Sequence, residues 1–399
     1  RHATRSAVIR CFLAKKLSCF NSKSTKRADK RAGLFSPTPC ELPLEMVTTT
    51  TMTAVARRIA TRLPRRGLAT AAVCTEIGSR LVQQTDWAIA PPGRGQVRIK
   101  VAAAGVNFAD LLKTRGQYQE KADPPFVPGN ELAGEIMELG DGVDNLTVGD
   151  RVVCLSRGGA YASESVADAA ACLKLPAAAA SRDLAEAAAL LVNYGTAHLA
   201  LTTRGNLQAG ETVLVTAAAG GVGLATVELA KQMGASRVIA AAGSEEKLSI
   251  SYTKGADAGI VYTGLDGKAF RGQLKEASGK GGIDVVVDMA GGDLLEPAVR
   301  SLNWNGRAVV VGFAAGSIPK IPANILLVKN VGVSGLFWGA HLQHDPRTLI
   351  KSAKALLEMW ASGQITPHIC ERVPLGRAHD AFDLLESRRS TGKVVIVPE

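Results

Sequence analysis

From about Ala71 to Pro176, apolar residues come in short β-branched runs that alternate with polar ones. In "QVRIKVAAAGV" the residues Val97, Ile99 and Val101 are separated by Arg98 and Lys100, and "ELAGEIMELG" and "GDRVVCLS" are joined by the turn-rich "DGVDNLTVGD". A period of two punctuated by Gly, Asp and Asn predicts a β-rich, barrel-like module with at least one antiparallel hairpin. From about Asn193 the period changes. Continuous apolar segments ("ETVLVTA", "RVIAAAG", "AGIVYT", "IDVVVDMA", "NGRAVVVGF") now alternate with amphipathic ones such as "GVGLATVELAKQMGA" and "EEKLSISYTKGA". Strands apolar on both faces, separated by helices, predict a doubly wound α/β unit with a parallel sheet. The tail from Gly335 mixes one helix with short strands and is too small for its own core, so it is expected to fold back onto the β-rich half.

A chain of 399 residues suggests about two domains. The boundaries read as 1–70 leader, 71–192 β-rich domain, 193–334 α/β domain and 335–399 return segment. The net charge of +11 first suggests a polyanionic partner. Of 47 basic and 36 acidic residues, however, 15 and 3 fall in residues 1–70, leaving 32 and 33 for the remainder. The body is therefore near neutral, which argues against nucleic acid as a partner. The basic segment ends in "TAVARRIATRLPRRGLATA", with arginines on one face of an expected helix, and reads as a transit peptide. Mitochondrial targeting is expected, with a plastid as the alternative and the cytoplasm if the leader is not translated; the first part of the chain reads as upstream sequence, with Met46 or Met52 the expected start. An RNA-binding tail is the other reading. After the leader, Cys74, Cys154, Cys172 and Cys370 are scattered with no C-x-x-C pair, so neither a disulfide framework nor a tetrathiolate zinc site is expected. No apolar run reaches the 18 or so residues of a membrane span.

In "TAAAGGVGLA", Ala217, Gly220 and Gly223 stand three apart, after a strand and before a helix. Such a turn lets the backbone at Gly220, Gly221, Val222 and Gly223 approach a pyrophosphate at the helix N-terminus; steric need alone can also explain the glycines, but the strand–turn–helix context favours a dinucleotide. The second strand ends in "VIAAAGSEEKL". Ala241, Ala242 and Gly243 stand where a carboxylate would accept ribose hydroxyls, and Ser244 and Lys247 suit a phosphate dianion. Glu245 and Glu246 oppose that reading unless they are first-turn residues of the next helix. NADPH is the expected cofactor.

With these residues in view, the chain resembles the medium-chain dehydrogenase/reductase superfamily, and within it the quinone oxidoreductase branch that includes zeta-crystallin. The resemblance covers residues 72–398 and is carried by "AAGVNFADLLKTRGQY", "PFVPGNELAG", "VGDRV", "YGTAHLAL", "AAAGGVGLATVELAK", "GFAAG" and "GKVVIVP". It implies a GroES-like catalytic domain built from both chain ends, a central Rossmann domain, and a homodimer joined near "VKNVGVSGLF". It also places Asn107 at the nicotinamide, Thr196 and Gly220–Gly223 at the cofactor, and Ser244, Lys247 and Tyr262 at the 2′-phosphate. An aromatic near the end of a strand is commonly core, which is the other reading of Tyr262, but its place in "IVYTG" matches the phosphate-contacting tyrosine of the family. Phe313, Phe337, Trp338, Gly339 and Lys393 match later contacts.

Zinc-dependent members of the superfamily place a histidine in a Gly-His-Glu loop and a cysteine earlier. Here Asn130 replaces that histidine and Asn107 follows Gly105-Val106 where the cysteine would stand, so no metal is expected. His341 and His344 share a helical face but read as surface residues. Without a Lewis acid, a conjugated acceptor such as a quinone or enone is the expected substrate. The candidates beside it are Asn107 and Tyr118; Tyr118 either donates a proton or packs on the rings. Asn130 and Glu131 are expected to brace the cleft. Reduction of an enoyl thioester or an alkenal is the enzymatic alternative, and an NADPH-binding structural or RNA-binding protein the non-enzymatic one.

Overall fold

The computed structural model describes residues 67–398, and the expected transit peptide lies almost entirely outside them. Fifteen strands, β1 to β15 in chain order, form three sheets among the described residues. The chain opens with a hairpin of β1 (Gly67–Val73) and β2 (Val82–Ile89). This corrects the leader boundary: Gly67 to Thr70 belong to a paired strand, and Ala69 is buried. The small apolar run "GLATAAV" fits against the β-rich half, whereas its alanines next to a basic stretch had read as helical.

β3 (Gln96–Gly105), β4 (Glu131–Leu139), β5 (Arg151–Leu155), β6 (Glu164–Asp168) and β7 (Cys172–Lys174) build the β-rich half. β4 and β5 make the expected antiparallel hairpin across "DGVDNLTVGD". Alternation is visible in β3, where Val97, Ile99 and Val101 are buried and Lys100 is exposed. The return segment supplies β14 (Ile369–Pro374) and β15 (Lys393–Val397), and the sheet order is β14-β15-β3-β4-β5-β7 with β6 on β3. β15 runs antiparallel to β3, with Val395 opposite Gly105, so residues from the two ends of the described chain meet at the close of β3.

The remaining strands, β8 (Thr212–Thr216), β9 (Arg237–Ala242), β10 (Ala258–Val261), β11 (Ile283–Asp288), β12 (Leu302–Val310) and β13 (Gly332–Gly335), form one parallel sheet ordered β10-β9-β8-β11-β12-β13. Val213, Leu214 and Val215, like Val285, Val286 and Val287, are fully buried, as strands covered on both faces require. Strand order reverses between β8 and β11, and sheets of this kind bind ligands beyond the C-terminal ends of the strands at such a point. The helix Leu191–Leu199 runs across the expected boundary at residue 193 and packs against both the helix Gly221–Gln232 and the return helix Pro346–Ala361. The return helix is pinned by Trp360, whose indole N–H donates to Glu186 (2.9 Å) under the Arg182 guanidinium.

Candidate active site

β8 leads into a left-handed residue, Ala217 (φ 48°), and the helix begins at Gly221. A Cβ on Gly223 would lie 2.7 Å from the Ala218 Cα, so this helix can approach its strand so closely only with glycine there. Gly221 lies under the Asn193 side chain. The Gly221, Val222 and Gly223 N–H groups fall in the first turn, where no intrahelical acceptor exists, and so present donors and a positive dipole end to an anion. The turn is also tied to the return segment: Gly392 N–H donates to the Ala219 carbonyl (2.8 Å), immediately before Lys393.

At the end of β9, Ser244 caps the next helix by accepting from the Lys247 N–H (3.3 Å), and Glu245 and Glu246 occupy its exposed first turn. The dipole there accounts for two acids that had argued against a phosphate. Lys247 donates its ammonium to the Arg388 carbonyl (2.6 Å). Tyr262 lies beside Gly243: a Cβ on that glycine would sit 3.9 Å from the phenol oxygen. Burial pushes the Tyr262 phenol pKa up, and the nearby Arg388 guanidinium pulls against it. Arg388, exposed and left-handed (φ 53°), brings a second cation to this corner. Sequence reasoning missed it; the only signal was a pair of arginines 126 residues beyond Tyr262 in chain numbering.

The third part of the site is a buried polar cluster. Lys393, expected at the cofactor, is only 3% exposed, and its ammonium donates to Glu131 (2.9 Å) and to the Asn107 Oδ1 (2.7 Å). Asn107 Nδ2 donates to the same Glu131 oxygen (3.1 Å), while the other oxygen of Glu131 accepts from Val192 N–H (3.1 Å). Glu131 thus braces the cleft as expected, and both ends of the Asn107 amide are engaged. Gly105 makes room for this: its Cβ would lie 2.8 Å from the Lys393 Cε and 3.0 Å from Glu131 Oε2.

Beneath the cluster, Asp110 accepts from Asn107 N–H (2.9 Å) and from the Tyr161 hydroxyl (2.8 Å). Its burial lifts the carboxyl to about 6, with the two donors opposing the rise. Tyr118 is half-buried, burial raises its phenol, and it makes no side-chain hydrogen bond among the described residues.

Thr196 is buried and donates its hydroxyl back to Val192 (2.6 Å). Phe313 lies over Gly291, in a loop that Asp288 holds through Gly291 N–H (2.9 Å). Phe337 is exposed, whereas Trp338 is buried against Gly195, the indole nitrogen 2.8 Å from the position of a Cβ there. Gly339 lies in the short turn Trp338–Ala340. The chain's own donors do not suit Zn²⁺ at the cluster. Asn107 and Asn130 offer neutral amides, and Glu131 is already paired with an ammonium.

Comparison with known proteins matches two families to the chain: "Alcohol dehydrogenase GroES-like domain" over residues 93–177 and "Zinc-binding dehydrogenase" over residues 221–355. A "Quinone oxidoreductase-like protein 2 homolog" of Nematostella vectensis is 44% identical over 329 residues, 82% of this chain and 88% of that protein. The "Quinone oxidoreductase-like protein 2" of Mus musculus is 41% identical over 326 residues, 82% of this chain and 91% of that one. Among solved structures, a probable oxidoreductase from Mycobacterium abscessus superposes with a TM-score of 0.74 at 34% identity, covering 84% of this chain and all of the other (100%). The quinone oxidoreductase of Thermus thermophilus, described also in its complex with NADPH, gives 0.70 at 31%, covering 82% and 99%. Both the sheet order and these similarities lead to one conclusion: the chain is an oxidoreductase that belongs to the medium-chain dehydrogenase/reductase superfamily, in its quinone oxidoreductase branch.

Proposed function

We propose that this chain is an NADPH-dependent reductase whose acceptor is a quinone or a related conjugated carbonyl. The observation that carries the cofactor assignment is the corner at the end of β9, where Ser244, Lys247, Tyr262 and Arg388 gather around a position with no carboxylate. Two cations and hydroxyl groups recognise a phosphate dianion, and the first turn at Gly221 receives the pyrophosphate. NADPH-complexed relatives of known structure agree with this reading.

When bound, the reduced nicotinamide supplies hydride. The residues of the chain then have three tasks. Gly220 to Gly223 and the Lys247 corner anchor the phosphates. The Lys393–Glu131–Asn107 cluster fixes the wall of the cleft with a neutral amide facing a buried ion pair. Phe313 and Phe337, both exposed, offer flat apolar surface for the rings. A quinone accepts hydride without a Lewis acid because its charge delocalises, and its oxygen takes a proton from solvent.

The test is to follow NADPH oxidation by the purified chain with a naphthoquinone, a short alkenal and a crotonyl thioester in parallel. Turnover of the quinone with NADPH well ahead of NADH is expected; turnover confined to the thioester would sink this choice of acceptor. Two further readings belong here. The edge strand β13, next to Leu327 (79% exposed) and Val328 (65%) on the helix Ala323–Lys329, suits a homodimer, which sedimentation would show as a mass of two chains. The basic leader suits mitochondrial import, which a C-terminal fluorescent fusion would report.

A further inference from the structure

We propose that Asn130 is a catalytic residue: its side-chain amide is the hydrogen-bond donor to the acceptor oxygen on which negative charge grows during hydride transfer. The proposal rests on the reductase reading above and names the group that meets the substrate. The sequence pointed instead to Asn107 and Tyr118, with Asn130 as a brace.

The hydrogen bonds of the cluster reverse the roles of the two asparagines. Asn107 has no free end, since Lys393 donates to its Oδ1 and its Nδ2 donates to Glu131. Turning it toward a substrate would break both bonds and leave the buried Lys393 and Glu131 short of a partner. Asn130 is the opposite case. Its Oδ1 is buried without a hydrogen-bond partner among the described residues. Buried polar atoms are almost always paired, and an unpaired one in the residue next to the locked Glu131 points to a partner that arrives with the ligand. The Nδ2 end, not the buried Oδ1, is the one that presents N–H groups to a substrate carbonyl.

Asn130 is also held for the task. Its own carbonyl accepts from Ser156 N–H (2.8 Å), and the two preceding residues are tied by Tyr161 N–H to Pro128 (3.1 Å) and Ala160 N–H to Gly129 (3.2 Å). Gly129 is left-handed (φ 93°) and lies flat on the Tyr161 ring, where a side chain would collide. Tyr161 is anchored through Asp110, and the next residue, Glu131, is locked by Lys393, Asn107 and Val192. Loop rotation is therefore blocked on both sides of Asn130, while its amide is left free. A donor whose backbone cannot move stabilises developing charge without reorganisation. The step balances: a carbon–hydrogen bond forms at the conjugated carbon from the transferred hydride, the C=C pair shifts to the enolate bond as the carbonyl π-electrons move onto oxygen, Asn130 Nδ2–H bonds that oxygen, and a solvent proton completes the enol. For a quinone, the ring carbon then loses a proton to solvent as the second carbonyl gains one, giving the hydroquinone.

The experiment compares wild type with Asn130→Ala and Asn130→Asp, reading kcat and KM for a naphthoquinone, NADPH affinity by fluorescence titration, and melting temperature. Asn130→Ala is expected to lose about 100-fold in kcat, the size seen for one lost oxyanion donor, with NADPH affinity unchanged. Asn130→Asp places a negative charge at the growing oxyanion. Its activity should be lower still at neutral pH and rise as pH falls and the carboxyl protonates into a donor, which a merely structural role would not produce. Unchanged kcat in Asn130→Ala, or a loss confined to NADPH affinity, would overturn the assignment while leaving the quinone reading intact. A wild-type chain that reduces no conjugated acceptor would overturn both.

Discussion

Replacing Lys393 by Met would leave Glu131, fully buried, with only the Val192 N–H and the Asn107 amide for partners. Removing one member of a buried ion pair costs about 3–5 kcal/mol, because the remaining charge stays out of water. The two surviving hydrogen bonds put this site near the lower figure, about 3 kcal/mol. For a domain of this size that corresponds to a fall of roughly 5–10 °C in Tm. The double variant Lys393→Met/Glu131→Gln removes both charges and keeps an amide that still bonds Asn107. It should regain most of the loss, giving a coupling of about 2 kcal/mol or more, since exchanging a whole buried pair for neutral groups is often nearly neutral. Calorimetric melts of wild type, both single variants and the double variant close the cycle. A single-variant loss under about 1 kcal/mol, or a double variant equal to the sum of the singles, would refute the claim that the pair is desolvated and interdependent.

Gly105→Ala drives a methyl group into the Lys393–Glu131 pair and the Ala188 carbonyl, and should cost about 1–3 kcal/mol in urea unfolding; a neutral result would show that β3 and β15 can separate at no cost. Arg388→Ala should weaken NADPH by roughly 10-fold or more, the value of one charge-assisted contact, and leave NADH unchanged; equal losses for both would remove Arg388 from the phosphate corner. Asp110 holds its proton up to about 6 in the fold, against 3.8 as the ordinary value. Between those pH values the folded state binds more protons than the unfolded one, so this group's contribution is full below pH 4 and is lost as pH rises through 6. Two pKa units set an upper bound of about 3 kcal/mol. Asp110→Asn should flatten the difference in unfolding free energy between pH 4 and pH 7 relative to wild type; an unchanged slope would show that Asp110 does not titrate in that window.

Much of the fold was legible because its signals are local. Alternation along β3, the apolar strands from β8 to β12 and the glycine spacing at Gly220 and Gly223 need only neighbours a few residues away. The corner at Ser244 and Lys247 was readable for the same reason. Gly67 to Thr70 were not, because "GLATAAV" carries little contrast between apolar and polar positions and follows a basic run. Its strand character shows only against its partner β2. Arg388 gave almost no signal, since a positive charge in a return segment acquires meaning only when that segment lies against Lys247.

By itself, the sequence determined the two architectures, the glycine turn between β8 and its helix, the absence of a carboxylate at the end of β9, and the amides that stand where zinc ligands would. Tertiary structure alone decided which of those amides is free. The contact that ties down Asn107 joins it to Lys393, 286 positions away, through the β3–β15 pairing and the link from Gly392 to the phosphate turn. No spacing rule spans that distance. Residue types reveal which groups are present, but only the pairing of distant strands uses up the hydrogen bonds of one asparagine and leaves another without a partner.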